Sequence, residues 1–189
     1  VAAAVADRLE HYRPRNLVVD PVMISTSGAR LLSDDAVRII TSRIFPLATL
    51  ITPNLNEARA LTGCDTPEAQ AARFREMGCR NILLKGGDST DPIHKTDLLF
   101  LEGEDTPRVL KADAVDTVNT HGTGCTLSSA IACYLALGHR LTEAVDLAKA
   151  YITEALREGA AITVGSGHGP VNHLHAPQAL KTYYTNTSI

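Results

Sequence analysis

The chain has no tryptophan, and aromatic residues of all kinds make up only 4% of it. That scarcity does not preclude a sizeable core, because 44% of the 189 residues are hydrophobic, enough for one domain of ordinary size. An excess of either charge is also missing. Lysine and arginine number 18 against 21 acidic residues, a formal net charge of -3, and no basic stripe stands ready to neutralise nucleic-acid phosphates. Small-molecule partners are expected, and nucleic acid is not. No apolar run approaches the roughly 20 residues of a membrane-spanning helix, and the opening VAAAVADRLEHYR carries acids too early for a secretory signal. No membrane association is expected. The four cysteines (Cys64, Cys79, Cys125, Cys133) form no C-x-x-C pair and have no histidine at zinc-finger spacing, so neither a zinc site nor a disulfide framework is indicated. A reducing, cytoplasmic compartment fits that usage. The first residue is Val rather than Met, which reads as an excerpt of a longer protein.

What is present is a repeated alternation of helix and strand. Val1, Val5, Leu9 and Tyr12 share one helical face, and NLVVDPVM (16–23) then reads as a buried strand ending at Asp and Pro. A helix over 33–45 opens with Ser and two acids, and a strand over 47–53 stops at Pro53. Two helices follow, 54–63 closed by Gly63 and 66–78 with Pro67 at its start and Gly78 past its end, before a third buried strand, NILLKGG (81–87). Strands without polar alternation, separated by helices, predict an α/β fold: a mostly parallel sheet covered on both faces. Residues 96–112 read as a hairpin at a sheet edge, and helices are predicted over about 124–137 and 142–158, the first with Leu127, Ala130, Ile131, Tyr134 and Leu135 at helical spacing and Gly138 as its stop. The tail KTYYTNTSI reads as a surface extension.

In such sheets ligands bind beyond the carboxyl ends of the strands. Polar residues gather there: Asp20 and the loop ISTSG (24–28) after the first strand, Thr52, Asn54 and Glu57 after the second, Lys85, Gly86, Gly87 and Asp88 after the third. Each alone reads as an ordinary loop residue, but their convergence on one edge points to a site. The stretch NTHGTGCT (119–126) is the sharpest signal. Gly122 and Gly124 can take backbone angles closed to bulkier residues, so that successive N–H groups converge on one point at the positive end of a helix. The expected product is an anion hole. It is no Walker A loop, and Leu127 stands where a dinucleotide fingerprint needs its third glycine. Cys125, at the helix start, has two open readings: a base or nucleophile, or a small residue packing the turn. Cys133 reads as packing. His168, His173 and His175 lack a carboxylate or cysteine to complete a metal set, and their glycine-rich surroundings read as a backbone turn.

Taken in order, VVDPVM (18–23), ITPNLNEARALTG (51–63), LLKGG (83–87), NTHGTGCT (119–126) and GHGPVNH (167–173) resemble the hydroxymethylpyrimidine/phosphomethylpyrimidine kinases of thiamine biosynthesis, members of the ribokinase-like superfamily. The resemblance covers nearly all of residues 1–175. It implies a three-layer sandwich with a mostly parallel sheet, residues 1–175 being the C-terminal portion of the kinase domain and 176–189 an extension. It also implies ATP-dependent phosphorylation of 4-amino-5-hydroxymethyl-2-methylpyrimidine and then of its monophosphate. Carried onto this sequence, Gly122, Thr123 and Gly124 form the anion hole for the transferred phosphate, and Cys125 stands where the wider superfamily has an Asp base. Asn54 and Glu57 are the N-x-x-E element that holds Mg2+ and its waters, Glu57 acting through water. Asp20 and Lys85 lie by the nucleotide phosphates and Val22 beside the pyrimidine. Phosphoryl transfer needs this combination of positioned donors, a bridging cation and a proton acceptor.

The same resemblance exposes departures. Relatives carry further residues before this point, including the first strands, a glycine-rich segment and much of the pyrimidine pocket. Val118 replaces a Lys and Asp88 a His that many relatives have. Two other functions therefore stand beside the first: pyridoxal kinase, which shares the fold and in some members the cysteine-containing turn, and a truncated, non-catalytic binding or assembly module. A homodimer is among the expected assemblies, and a sheet edge left without the first strands calls for cover.

Overall fold

The structure, a computed structural model, describes residues 1–23, 31–87 and 91–178. Helix α1 (Ala2–Tyr12) precedes β1 (Val18–Val19), α2 (Asp34–Ile39), β2 (Leu50–Ile51), α3 (Leu55–Thr62), α4 (Pro67–Glu76) and β3 (Ile82–Leu84). The hairpin β4 (His94–Phe100) and β5 (Arg108–Asp113) follows, then α5 (Thr123–Ala136) and α6 (Leu141–Gly159). Among the described residues these strands form one sheet in the order β1-β2-β3-β4-β5, parallel from β1 to β3 and antiparallel from β3 to β5. The hairpin occupies one edge, as the Gly-containing turn predicts.

Successive residues of each central strand feed opposite cores, which is why polar alternation is missing from the sequence. Leu50, Leu83 and Leu99 point to one side, where Leu127, Ile131 and Leu135 of α5 meet Val145, Ala148 and Ile152 of α6. Ile51, Ile82, Leu84 and Phe100 point to the other, against Phe45, Ala58 of α3 and Phe74 of α4. The result is helix, sheet, helix.

Local signals act as read at most boundaries. Ser33, Asn54 and Thr66 cap α2, α3 and α4 through their side chains. Gly63, Gly78 and Gly138 take positive φ at or just past helix ends. Two expectations fail. The helix expected over 33–45 is regular only to Ile39: a π-helical turn spans Ile40–Ile44, with the Phe45 N–H bonded to the Ile40 carbonyl, and a 3-10 turn at Phe45–Leu47 completes it. Pro46, which has no N–H, prevents a regular continuation. In α1 the face of Val1, Val5 and Tyr12 is exposed and Ala6 is the buried residue. Arg43 adds ion pairs to the helix, with Asp7 at 2.6 Å and Glu10 at 2.7 Å.

The ladders of β1 and β2 extend over two residues each, less than the apolar runs 16–23 and 47–53 suggest. Beyond them single backbone bonds continue the alignment: Thr52 N–H to the Val19 carbonyl and Lys85 N–H to the Pro53 carbonyl, both 2.9 Å. No helix among the described residues is long and apolar enough to cross a membrane.

Candidate active site

Asp20, at the end of β1, and Lys85, at the end of β3, meet across the intervening strand with Nζ 2.8 Å from Oδ1. Their side chains are only 11% and 12% exposed, so the pair is withdrawn from bulk water and its geometry is constrained. Ser128, in the second turn of α5, holds its hydroxyl 3.3 Å from the other Asp20 oxygen and 3.1 Å from the carbonyls of Gly124 and Cys125, sharing its proton among them. The start of α5 is therefore tied to the strand ends.

That start is built around Gly122, whose φ of 85° turns the chain into the helix. A β-carbon would be strained there. No side chain caps the helix, and the Thr123 hydroxyl turns back to the Thr120 carbonyl at 2.7 Å. The uncapped first turn with its positive dipole end suits an anion. Gly124 needs a different explanation from the one the sequence offers, because its φ is not positive. Space is the reason: a β-carbon would sit 3.1 Å from Lys85 Nζ and 3.8 Å from Asp20 Oδ2. The second glycine lets the lysine reach the helix.

Asn54 and Glu57 form a reciprocal cap on α3. Asn54 Oδ1 accepts the Glu57 N–H at 2.7 Å, and Glu57 Oε2 accepts the Asn54 N–H at 2.8 Å. Asn54 also bridges to Lys85 along the strands. Glu57 is buried, and desolvation pushes its carboxyl above the usual carboxylate range, opposed by the N–H groups of Asn54 and Met23 and by the Lys85 charge, while Asp20 adds to the rise. Asp20, Asn54, Glu57, Lys85 and Gly124 thus share one corner. Val22 is half-buried two residues past Asp20, its N–H on the Asp20 carbonyl at 2.9 Å. The loop 24–28 and Asp88 lie outside the described residues, as do residues 179–189 of the tail. Val118 is 66% exposed.

Both cysteines of α5 are exposed. For Cys133 this overturns the packing expectation: the buried face of the helix runs through Leu127, Ile131 and Leu135, and Cys133 falls on the other side. Cys125 likewise does not pack the turn. Both line an open, largely apolar groove of about 610 Å³ together with Thr126, Tyr134, Tyr151 and His173. The histidines hold backbone and side chains: His173 Nε2 meets Thr126 Oγ1 at 2.9 Å, and His168 and His175 bond the carbonyls of Val118 and Asn172 at 3.2 and 3.1 Å.

Sequence reasoning passed over three residues. Ser128 stands one turn after Gly124, a spacing that could have flagged it. Asn119, buried, donates to the carbonyls of Gly159 at 2.7 Å and Ile162 at 2.6 Å, fastening the glycine turn to the end of α6. Gly169 makes room for it, since a β-carbon there would collide with the Asn119 amide. The third, Asp97, is buried on β4 and accepts the Gly86 N–H at 2.8 Å.

Known proteins resemble this chain in sequence and in overall fold. The family model for phosphomethylpyrimidine kinase matches residues 1–172. The chain is 45% identical over 179 residues to the hydroxymethylpyrimidine/phosphomethylpyrimidine kinase of Rhizobium meliloti, covering 92% of this chain and 66% of the relative. It is 45% identical over 188 residues to the thiamine biosynthesis bifunctional protein ThiED of Geobacter sulfurreducens, covering 94% of this chain and 36% of that one. Among solved structures it resembles the ADP complex of Bacillus subtilis pyridoxal kinase, with a TM-score of 0.80 at 32% identity over 92% of this chain and 66% of that chain. The chain therefore spans about a third of the length of the ThiED relative and about two thirds of the other two. The ribokinase-like fold follows, and the motifs that meet at the strand ends are the ones the family match runs through: this chain belongs to the phosphomethylpyrimidine kinase family.

Proposed function

We propose that this protein transfers phosphate from ATP to hydroxymethylpyrimidine and then to its monophosphate, giving the diphosphate used in thiamine biosynthesis. The observation that carries this reading is the meeting of Lys85, Asp20 and the uncapped start of α5 at Gly124. Lys85 offers its ammonium to the nucleotide phosphates with Asp20 as its anchor, while Gly122, Thr123 and Gly124 present backbone N–H groups to the phosphoryl group in flight. In the first transfer the substrate hydroxyl, held beside Val22, attacks the terminal phosphorus, the bond to the bridging oxygen of ADP breaks, and the hydroxyl proton passes to the Cys125 thiolate; in the second a phosphate oxygen of the monophosphate is the nucleophile and ADP again leaves. Exposure of Cys125 toward an open groove supports that role over packing.

The residues fit a Mg2+ ion. Magnesium takes one or two carboxylates together with waters and substrate phosphates, and the buried Glu57 stands in the same corner as Lys85 and Asp20, with Asn54 orienting its carboxylate. Bound there through water, the ion would neutralise charge on the phosphates. Residues 1–175 serve on this reading as the C-terminal portion of a kinase domain and 176–189 as its extension, in a cytoplasmic protein that assembles as a homodimer.

A second substrate has an observation in its favour, because the B. subtilis pyridoxal kinase shares the fold at a TM-score of 0.80. Coupled assays with ATP on hydroxymethylpyrimidine, its monophosphate and pyridoxal separate the two. Turnover of both pyrimidines is expected. Turnover of pyridoxal alone would overturn the pyrimidine assignment, and ATP binding without turnover of any of them would favour a non-catalytic module.

A further inference from the structure

Asp97 and Lys149 form an ion pair that the proposed chemistry does not use, and burial makes it costly. Lys149 Nζ lies 2.6 Å from Asp97 Oδ2, with side chains 15% and 5% exposed. Such a pair gives little net stability over an apolar pair of the same volume, so its presence asks for another role. The second Asp97 oxygen supplies one. Oδ1 accepts the Gly86 N–H at 2.8 Å, and Gly86 directly follows Lys85. Gly86 itself is pressed against the Thr96 carbonyl so closely that a β-carbon could not be accommodated. Lys149 completes the seat by reaching the Lys95 carbonyl at 3.4 Å.

We propose that Asp97, oriented by Lys149, is a positioning residue that sets where the strand end carrying Lys85 stops, and so where the Lys85 ammonium meets Asp20 and the nucleotide. The role rests on the reading of that corner as a nucleotide-phosphate site. β3 pairs with its neighbours through only three residues, and beyond Leu84 the backbone has few other ties. On one side the Lys85 N–H bonds the Pro53 carbonyl; on the other the Gly86 N–H bonds Asp97. Removing the second tie frees the turn at the point where Lys85 leaves the sheet. A displacement of about 1 Å at such a group costs on the order of 100-fold in rate.

Two double variants of the full chain test this. Asp97→Leu with Lys149→Met replaces each side chain with an apolar one of similar branching and removes both charges and the acceptor for Gly86; Asp97→Asn with Lys149→Met removes the charges but keeps an acceptor. The apolar variant is expected to unfold cooperatively but at a lower temperature than the Asn variant, because its buried Gly86 N–H has lost its acceptor, to exchange its Gly86 amide at least about tenfold faster, and to lose about 100-fold in kcat/KM for ATP. The Asn variant is expected to regain most of both. Unchanged Gly86 exchange in the apolar variant, or faster exchange with unchanged kcat/KM for ATP, overturns the positioning role. Failure of the parent to bind a non-hydrolysable ATP analogue overturns the nucleotide reading of the corner, and the positioning role with it, whatever the exchange rates show.

Discussion

Lys85 and Asp20 close a 2.8 Å ion pair between two strands that are not neighbours, with β2 lying between them. Replacing Lys85 with Met strands a buried carboxylate and removes the charge proposed to face the nucleotide phosphates. A loss of about 3 kcal/mol in stability and of at least about 100-fold in kcat/KM for ATP is expected. Adding Asp20→Asn should restore most of the stability and none of the activity, as denaturant melts and steady-state kinetics can show.

Gly124→Ala should separate stability from function. An alanine improves the helix by about 0.5–1 kcal/mol, yet its methyl carbon would stand 3.1 Å from Lys85 Nζ. Melting temperature is expected to hold or rise while the KM for ATP rises. Gly122→Ala should instead lower stability by about 1 kcal/mol, since its φ of 85° opposes any side chain. Equal behaviour of the two variants would contradict the separate reasons given for the two glycines.

Cys125→Ala is expected to reduce kcat by about 100- to 10,000-fold with ATP-analogue affinity unchanged. Wild-type turnover by this variant would remove the sulfur from proton transfer.

The native protein should show ordered thiol reactivity. Cys125 and Cys133 are exposed, whereas Cys79 is buried and its thiol is pushed up to about 12 by desolvation. An aromatic disulfide reagent at neutral pH should label the first two rapidly and Cys79 only on unfolding. Bound ATP analogue should protect Cys125 more than Cys133.

Glu57 gives a pH signature. Its folded pKa is raised by burial, so the folded state holds the proton more tightly than the unfolded chain and ionisation costs stability. The cost is absent below the unfolded value and fully present above the folded one. Glu57→Gln, which can keep the cap, should therefore stabilise the protein near neutral pH, with the gain vanishing as pH falls through the folded pKa. Mg2+ with an ATP analogue should reverse the order, stabilising the wild type more than the variant. A gain independent of pH would separate the effect from ionisation.

The sheet, its edge hairpin and most helix ends were legible because they depend on local chemistry: capping side chains, glycines at helix ends, and strands such as Leu50–Ile51 whose two faces are both apolar. So were the residues of the corner, since strand ends collect in one place. What escaped depends on partners distant in sequence. Asn119 finds Gly159, Asp97 finds Gly86 and Lys149, and Ser128 finds Asp20 only after folding. Gly124 was picked out for a conformational freedom it does not use, because the lysine that needs the space lies far upstream. In α1 the periodicity of Val1, Val5 and Tyr12 misled, since the helix buries Ala6 instead and pairs Asp7 and Glu10 with Arg43.

The grip of Asn119 on the carbonyls of Gly159 and Ile162 spans 40 and 43 residues. Through it the glycine turn is moored to the C-terminal end of α6. A proteolytic nick just past α6 would release the Ile162 half of that mooring, so the glycine turn should slacken while the sheet stays intact.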